Sequence, residues 1–262
     1  MNTRIAMVTG ATSGFGEATA RRLAAEGWRV ILTGRRRDRL DALQRELEGL
    51  HGKLDGHTAC YPLRFDVRDR ADVGSTIAAL PEEWRAIDLL VNNAGLAAGM
   101  DPLQDGDPED WERMLDTNVK GLLWVTRAVV PGMIERGSGH VINIGSTAGK
   151  EVYPNGNVYC ATKHAVDALT KGLRIDLLPF GIKVTQIAPG LAETEFSLVR
   201  FHGDAERAGQ VYQGLEPLHA EDIAELVHYA ASVPAHVCIN DLVVTCLAQA
   251  NSTQVIRKKE PR

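Results

Sequence analysis

Thr9-Gly10-Ala11-Thr12-Ser13-Gly14-Phe15-Gly16 is the stretch whose reading decides the fold. It follows Arg4-Ile5-Ala6-Met7-Val8, a brief apolar run that reads as a short buried strand over residues 4–9. It precedes Ala18, Ala20, Leu23 and Ala24, whose spacing reads as a helix over residues 15–26. A strand, a glycine-rich turn and a helix start make a phosphate cradle. The glycines let backbone approach a pyrophosphate, and the helix N-terminus offers free N–H donors and the positive end of its dipole. Gly10, Thr12, Ser13, Gly14, Phe15 and Gly16 are therefore candidate dinucleotide contacts. The glycine spacing is Gly-x-x-x-Gly-x-Gly, not the commoner Gly-x-Gly-x-x-Gly.

Outward from this unit, apolar strand patterns recur at residues 29–33, 57–65, 87–92, 140–145, 182–188 and 241–247. Helical patterns fall between them, near 37–49, 69–79, 107–135, 157–178 and 219–232. Such alternation implies right-handed βαβ units and an α/β fold, a doubly wound parallel sheet covered on both faces. Seven strands are too few for an eight-stranded α/β barrel. A single Rossmann-type domain is expected over residues 1–250. Asp107-Pro108-Glu109-Asp110 carries a helix start, with a capping Asp, Pro at the first helical position and acids in the first turn. Residues 190–215 are polar and glycine-punctuated after a strand tip, the pattern of a substrate lid, and 251–262 read as a charged, frayed tail.

A chain of 262 residues that is 44% hydrophobic can bury a full α/β core. Its net charge of −5 argues against a nucleic-acid partner. The longest apolar stretch, residues 119–134, is broken by Lys120, Arg127 and Pro131, which argues against a membrane span. No charged-then-apolar leader precedes the first strand, so a cytoplasmic protein is expected. Cys60, Cys160, Cys238 and Cys246 show no ligand-type pairing, and reduced thiols are the simpler reading. The eight His residues show no metal-site spacing.

Chemistry is carried further along. Tyr159 and Lys163 stand in Tyr-x-x-x-Lys, which on a helix puts both side chains on one face, one turn apart. An ammonium held there favours the phenolate, so the Tyr can act as general base or acid near neutral pH. Ser146 ends the run His140-Val141-Ile142-Asn143-Ile144-Gly145, which places its hydroxyl at a strand's C-terminal tip, where open parallel sheets bind ligands. The second strand ends Thr33-Gly34 and is followed by Arg35-Arg36-Arg37, with no acid to hold a ribose 2′-hydroxyl. Guanidiniums there suit a 2′-phosphate, so Arg35 and Arg36 point to NADP(H) rather than NAD.

Thr9-Gly10-x-x-x-Gly14-x-Gly16, Asn92-Asn93-Ala94-Gly95, Asn118, Ser146, Tyr159-x-x-x-Lys163 and Pro189-Gly190 stand in an order and spacing that resembles the short-chain dehydrogenase/reductase family. The match spans residues 4 to about 247. Thr33-Gly34-Arg35-Arg36, the segment 143–149 and the segment 194–201 look like its NADP-dependent 3-hydroxy acid dehydrogenase branch, which acts on serine and allo-threonine. The resemblance implies strand order 3-2-1-4-5-6-7. It also implies that Tyr159 carries the proton, that Lys163 additionally holds the nicotinamide ribose, that Ser146 bonds the substrate oxygen and that Asn118 holds a water near Lys163. By the same resemblance Asp66 and Val67 take the adenine, Asn93, Ala94 and Gly95 back the ribose and nicotinamide, and Pro189, Gly190 and Thr194 line the nicotinamide. It implies a homotetramer formed through the helices near 107–135 and 157–178. A small 3-hydroxy acid needs a cation for its carboxylate. Arg200 in the lid is the first candidate and Lys150 the second. The rivals are a 3-oxoacyl thioester reductase with the same four residues, a dinucleotide-sensing regulator and a scaffold with a vestigial fold. A sensor or scaffold has no use for a tuned Tyr.

Overall fold

Along Ile5-Ala6-Met7-Val8 every side chain is buried, and alternate residues feed opposite layers: Ala6 and Val8 join one apolar cluster, Ile5 and Met7 the other. A strand apolar on both faces belongs inside a covered parallel sheet. The computed structural model describes residues 3–54 and 56–258. Seven parallel strands, β1 (Ile5–Val8), β2 (Arg29–Gly34), β3 (Cys60–Arg64), β4 (Ile87–Asn92), β5 (His140–Ile144), β6 (Lys183–Pro189) and β7 (Asp241–Val244), form the sheet. They lie in the order β3-β2-β1-β4-β5-β6-β7, as the family resemblance implied. Helices α1 (Gly14–Ala25) and α2 (Arg37–His51) cover one face through Leu23, Leu40 and Leu47, and α3 (Arg70–Ala78) covers the other through Val73 and Ile77. The chain reverses between β1 and β4, and that switch point opens a crevice at the strands' C-terminal ends.

Three boundaries differ from the sequence reading. The expected strand over 57–65 is split. His57–Thr58 pairs antiparallel with Lys53–Leu54, and only Cys60–Arg64 joins the main sheet, at its edge. Gly52 (φ +62°) and Gly56 (φ +84°) turn the chain there, and Pro62 is tolerated because an edge strand has a free side. The expected helix over 107–135 is instead α4 (Pro108–Leu115), a wide π turn (Asp116–Gly121) and α5 (Leu122–Arg136). Asp107 caps α4 by accepting from the Glu109 N–H at 2.9 Å, as read from sequence.

Third, the tail is not frayed where it is described. After α6 (Asn157–Leu177), the helices α7 (Glu195–Arg200) and α8 (Ala205–Gln210) in the segment expected to be a lid, and α9 (Ala220–Ser232), the chain folds back onto residues 211–214. The Lys258 N–H donates to the Gly214 carbonyl at 2.7 Å, and the Arg257 guanidinium donates to the carbonyls of Gln213 (2.6 Å) and Val211 (3.0 Å). Residues 259–262 of the expected tail lie outside the described residues. Among the described residues no helix is long and apolar enough to cross a membrane.

Candidate active site

The glycine turn forms one wall of the crevice. Gly14 takes φ +52°, a left-handed conformation that side chains resist. A Cβ on Gly16 would lie 2.3 Å from the Gly10 carbonyl oxygen and 2.4 Å from Asn93 Nδ2, so only glycine fits. No side chain caps α1, which leaves its first N–H groups free at the crevice. Thr9 and Asn93 lock the turn to the tip of β4. Thr9 Oγ1 accepts from the N–H groups of Asn93 and Ala94, both at 2.9 Å, and Asn93 Nδ2 donates to the Thr9 carbonyl at 2.8 Å.

A cavity of about 340 Å³ runs from this turn in two directions. Arg35, Arg36, Phe65, Asp66 and Val67 line one end, and Ser146, Tyr159, Lys163, Pro189, Gly190 and Thr194 line the other with Asn93, Ala94 and Gly95 between. Thus all the cofactor candidates named from sequence that lie along its length converge on one cleft, while Gly16 stands just behind it as backbone clearance. Gly10, Thr12, Ser13, Gly14 and Phe15 form its floor. The fit to a dinucleotide follows from two features: a backbone cradle that a Cβ would fill, and a pair of guanidiniums, Arg35 and Arg36, at the end away from Tyr159.

Arg36 is tightly held. Its guanidinium donates to Thr12 Oγ1 at 2.9 Å, to Ser13 Oγ at 2.9 Å and to Glu195 Oε2 at 3.1 Å. Arg39, which the sequence reading passed over, donates to Glu195 Oε1 at 2.7 Å. Arg35 is freer, 58% exposed, with Asp66 Oδ2 at 3.8 Å.

At the opposite end α6 delivers Tyr159 and Lys163, both buried. One helical turn apart, they do not share a bond. Lys163 Nζ donates to the Ile144 carbonyl at 2.9 Å, at the tip of β5, and stands 5.9 Å from the Tyr159 ring centroid. Burial pushes the Lys163 ammonium down to about 8. Burial also pushes the Tyr159 hydroxyl up, with the neighbouring Tyr153 adding to the rise, while the Arg200 guanidinium and a hydrogen bond with Ser146 pull it back. The expectation that Lys163 lowers the Tyr159 pKa is joined by a second cation that the sequence did not show: the Arg200 guanidinium lies 5.1 Å from the ring centroid, beside Lys163 Nζ at 5.9 Å. Ser146 stands at the tip of β5 as expected, its Oγ donating to the Pro189 carbonyl at 3.3 Å and accepting from the Ala148 N–H at 3.1 Å.

Asn118 lies in the π turn, a geometry that is uncommon and concentrates at functional sites. Its Oδ1 accepts from the Leu96 N–H at 2.8 Å, and its Nδ2 donates to the Leu96 carbonyl (2.8 Å) and to Thr162 Oγ1 (3.1 Å). The side chain thus staples the loop after β4 to α6. A buried relay reinforces it: Asn92 Nδ2 donates to Asn143 Oδ1 and Thr126 Oγ1, and Asn143 Nδ2 to Thr170 Oγ1, each at 2.9 Å. Asn92 and Asn143 were visible only as motif letters. Their partners, on helices, have no sequence signature.

The two carboxylate-anchor candidates separate cleanly. Arg200 lines the cavity, packs on Tyr159, Tyr153 and Phe196, and donates to the Tyr153 hydroxyl. Its Nε is buried with no hydrogen-bond partner among the described residues. Lys150 points elsewhere, its ammonium held by Asp167 and Asp241. It is set aside because two carboxylates already neutralise it. Tyr153, Phe196 and Gln249 were missed from sequence. Gln249 Oε1 accepts from the Leu191 N–H at 2.7 Å and so fixes the loop after Pro189 and Gly190 from a turn far along the chain.

Known proteins place these features. An NADP-dependent 3-hydroxy acid dehydrogenase, YdfG of Salmonella typhi, is 51% identical over 247 residues, 94% of this chain and 96% of that protein. Sulfoacetaldehyde reductase 2 of Chromohalobacter salexigens is 50% identical over 94% of this chain and 95% of its own. Among solved structures, the closed form of serine dehydrogenase complexed with NADP+ superposes with a TM-score of 0.90 at 48% identity, covering 97% of this chain and 100% of that one. The family model for short chain dehydrogenases matches residues 4–203. With the sheet order, the glycine turn and the buried Tyr-Lys helix already in place, the chain belongs to the short chain dehydrogenase family.

Proposed function

We propose that this enzyme interconverts a small 3-hydroxy acid of the serine, allo-threonine or 3-hydroxypropionate type with its 3-oxo acid or semialdehyde. It is an oxidoreductase acting on a hydroxyl-bearing carbon, and its cofactor is NADP(H). The bound nicotinamide supplies the hydride chemistry. Everything else is position and proton handling by the chain's own residues. Arg35 and Arg36 would hold the 2′-phosphate, with Ser13 beside them. Asp66 and Val67 would flank the adenine. Asn93, Ala94 and Gly95 would back the ribose and nicotinamide, and Pro189, Gly190 and Thr194 would close the nicotinamide end.

Tyr159 takes the hydroxyl proton in oxidation and returns it in carbonyl reduction, and Ser146 bonds the same substrate oxygen as its charge changes. Lys163, already lowered to about 8, is the next titratable group toward Asn118, and it would hold the nicotinamide ribose. Asn118 keeps the π turn docked on α6, so its first task is to position the helix that carries Tyr159 and Lys163.

The observation that carries the substrate class is Arg200: a guanidinium over the Tyr159 ring, inside the cavity, with a buried N–H left over. A substrate carboxylate one or two carbons from the reacting hydroxyl is the anion such a group suits. The test is Arg200→Met. KM for serine and 3-hydroxypropionate should rise by about tenfold or more, the loss of a charge-assisted bond, while turnover of uncharged alcohols changes little. Equal losses for both substrate types would remove the anchor. A second reading is favoured by the sulfoacetaldehyde reductase relative, since a sulfonate would meet the same guanidinium. Sulfoacetaldehyde belongs in the same substrate panel.

A further inference from the structure

We propose that Glu195 is a positioning residue for the reaction: its carboxylate clasps the lid to Arg39 and Arg36 and thereby holds Arg200 over Tyr159. The proposal rests on the reading of Arg200 as substrate anchor, and it concerns a residue outside the set that handles proton and substrate.

Four observations meet here. Glu195 spans two guanidiniums, one oxygen to Arg39 at 2.7 Å and the other to Arg36 at 3.1 Å. Both arginines also donate to the Thr12 carbonyl, each at 3.2 Å, so the lid is tied through them to the glycine turn. Thr194, one residue earlier, caps α7 and lies against that turn, where a Cβ on Gly14 would sit 3.3 Å from it. The other end of α7 is fastened separately: the Gly99 N–H donates to the Arg200 carbonyl at 3.0 Å, and His202 Nε2 lies 2.9 Å from Asp110 Oδ2.

Between these fastenings α7 is a helix of six residues, too short to hold its own shape. One turn separates Phe196 from Arg200, which puts both on one face. That face meets the Tyr159 ring, Phe196 edge-on at 5.6 Å and Arg200 at 5.1 Å. Loss of the Glu195 end leaves the helix fastened only at its C-terminal end, and the aromatic and cationic contacts with Tyr159 lose their alignment. The carboxylate is 43% exposed, so its contribution is screened and the expected effects are several-fold, not orders of magnitude. Arg39 carries the larger share and is the cleaner partner to change, because it is absent from the lining of the cofactor cleft.

The experiment is hydrogen–deuterium exchange of the amides of residues 196–201 in wild type, Glu195→Gln, Arg39→Gln and the double variant, beside steady-state kinetics. Each single change should speed exchange about three- to fivefold. The double should be no faster than the faster single, because both remove one contact. KM for the anionic substrate should rise two- to fivefold in each variant, and in Arg39→Gln, whose side chain lies outside the cleft lining, NADP affinity by calorimetry should stay unchanged within twofold. Unchanged exchange, or full additivity in the double variant, overturns the clasp. If exchange responds as expected while KM for the acid stays put, the clasp stands and the Arg200 anchor falls.

Discussion

Tyr159 and Lys163 share one helical face, yet their polar ends go to different places, and this is where sequence and structure part at the residue scale. Spacing alone put an ammonium beside the phenol. The fold sends Lys163 to the last carbonyl of β5 and brings Arg200 in from the lid. No pattern inside Tyr-x-x-x-Lys could show that, because Arg200 comes from a segment whose placement depends on tertiary contacts. The proton role itself does not depend on which cation lies closer. Tyr159→Phe keeps the packing against Phe196 and deletes the proton carrier, so turnover should fall about 10² to 10⁴-fold with NADP affinity retained. Near wild-type turnover in that variant would end the assignment. The proposed role of Arg35 and Arg36 rests on the missing acid at the end of β2. Neutralising both should cost NADP about 1.5–3 kcal/mol per lost contact and NAD little, measured by calorimetry. Equal losses would make the arginines structural.

At the scale of elements, periodicity located the strands and helices because the inner strands β1, β2, β4, β5 and β6 are buried along nearly their whole length and most helices on one face. What it missed has identifiable causes. The pairing of residues 53–54 with 57–58 depends on two glycines at positive φ, and nothing in Asp116-Thr117-Asn118-Val119-Lys120-Gly121 marks a π turn off from the helices flanking it. Sites hidden inside strands were equally invisible. His140 in β5 is one. Thr185 Oγ1 donates to the Ile239 carbonyl at 2.6 Å and so accepts from His140 Nε2 at 2.8 Å, which leaves Nδ1 buried with no hydrogen-bond partner among the described residues. Burial, with Lys183 nearby, pushes the imidazole from its usual 6.5 down to about 3. Between those values the unfolded chain binds a proton that the folded chain refuses, so this stability is full above pH 6.5 and falls as the pH drops through the window. His140→Gln keeps a donor for Thr185 and removes the titration. Urea midpoints measured from pH 7 to pH 4 should therefore fall less steeply in the variant. Parallel slopes would show that other groups set the acid limit.

For the whole molecule, the glycine turn and the strand–helix alternation were enough to give a doubly wound parallel sheet with right-handed crossovers, while the strand order itself came from the family resemblance. The lid was legible only as a polar, glycine-punctuated stretch. Its fastenings come from α2, α4 and the tail, each remote in sequence, so the clasp at Glu195 and the return of Arg257 and Lys258 could not be read in advance. Assembly is a proposal at this scale. Leu115 and Leu123 beside the π turn and Ile175 and Leu178 at the end of α6 are exposed by 38%, 37%, 72% and 74%. Apolar side chains so placed on α4, α5 and the end of α6 favour burial against symmetry mates, and we propose a homotetramer built through α4–α5 and α6. Sedimentation velocity at micromolar concentration should give a tetramer, and a monomer there would remove the proposal.

The central claim is that an NADP-bound cleft acts on a small hydroxy acid. Initial rates with serine, allo-threonine, 3-hydroxypropionate and an uncharged alcohol of equal length, each with NADP and with NAD, test it most directly. Efficient oxidation of at least one acid, with kcat/KM at least tenfold above the uncharged alcohol and NADP preferred over NAD, is the predicted result. Equal efficiency on acid and alcohol, or a preference for NAD, would contradict it.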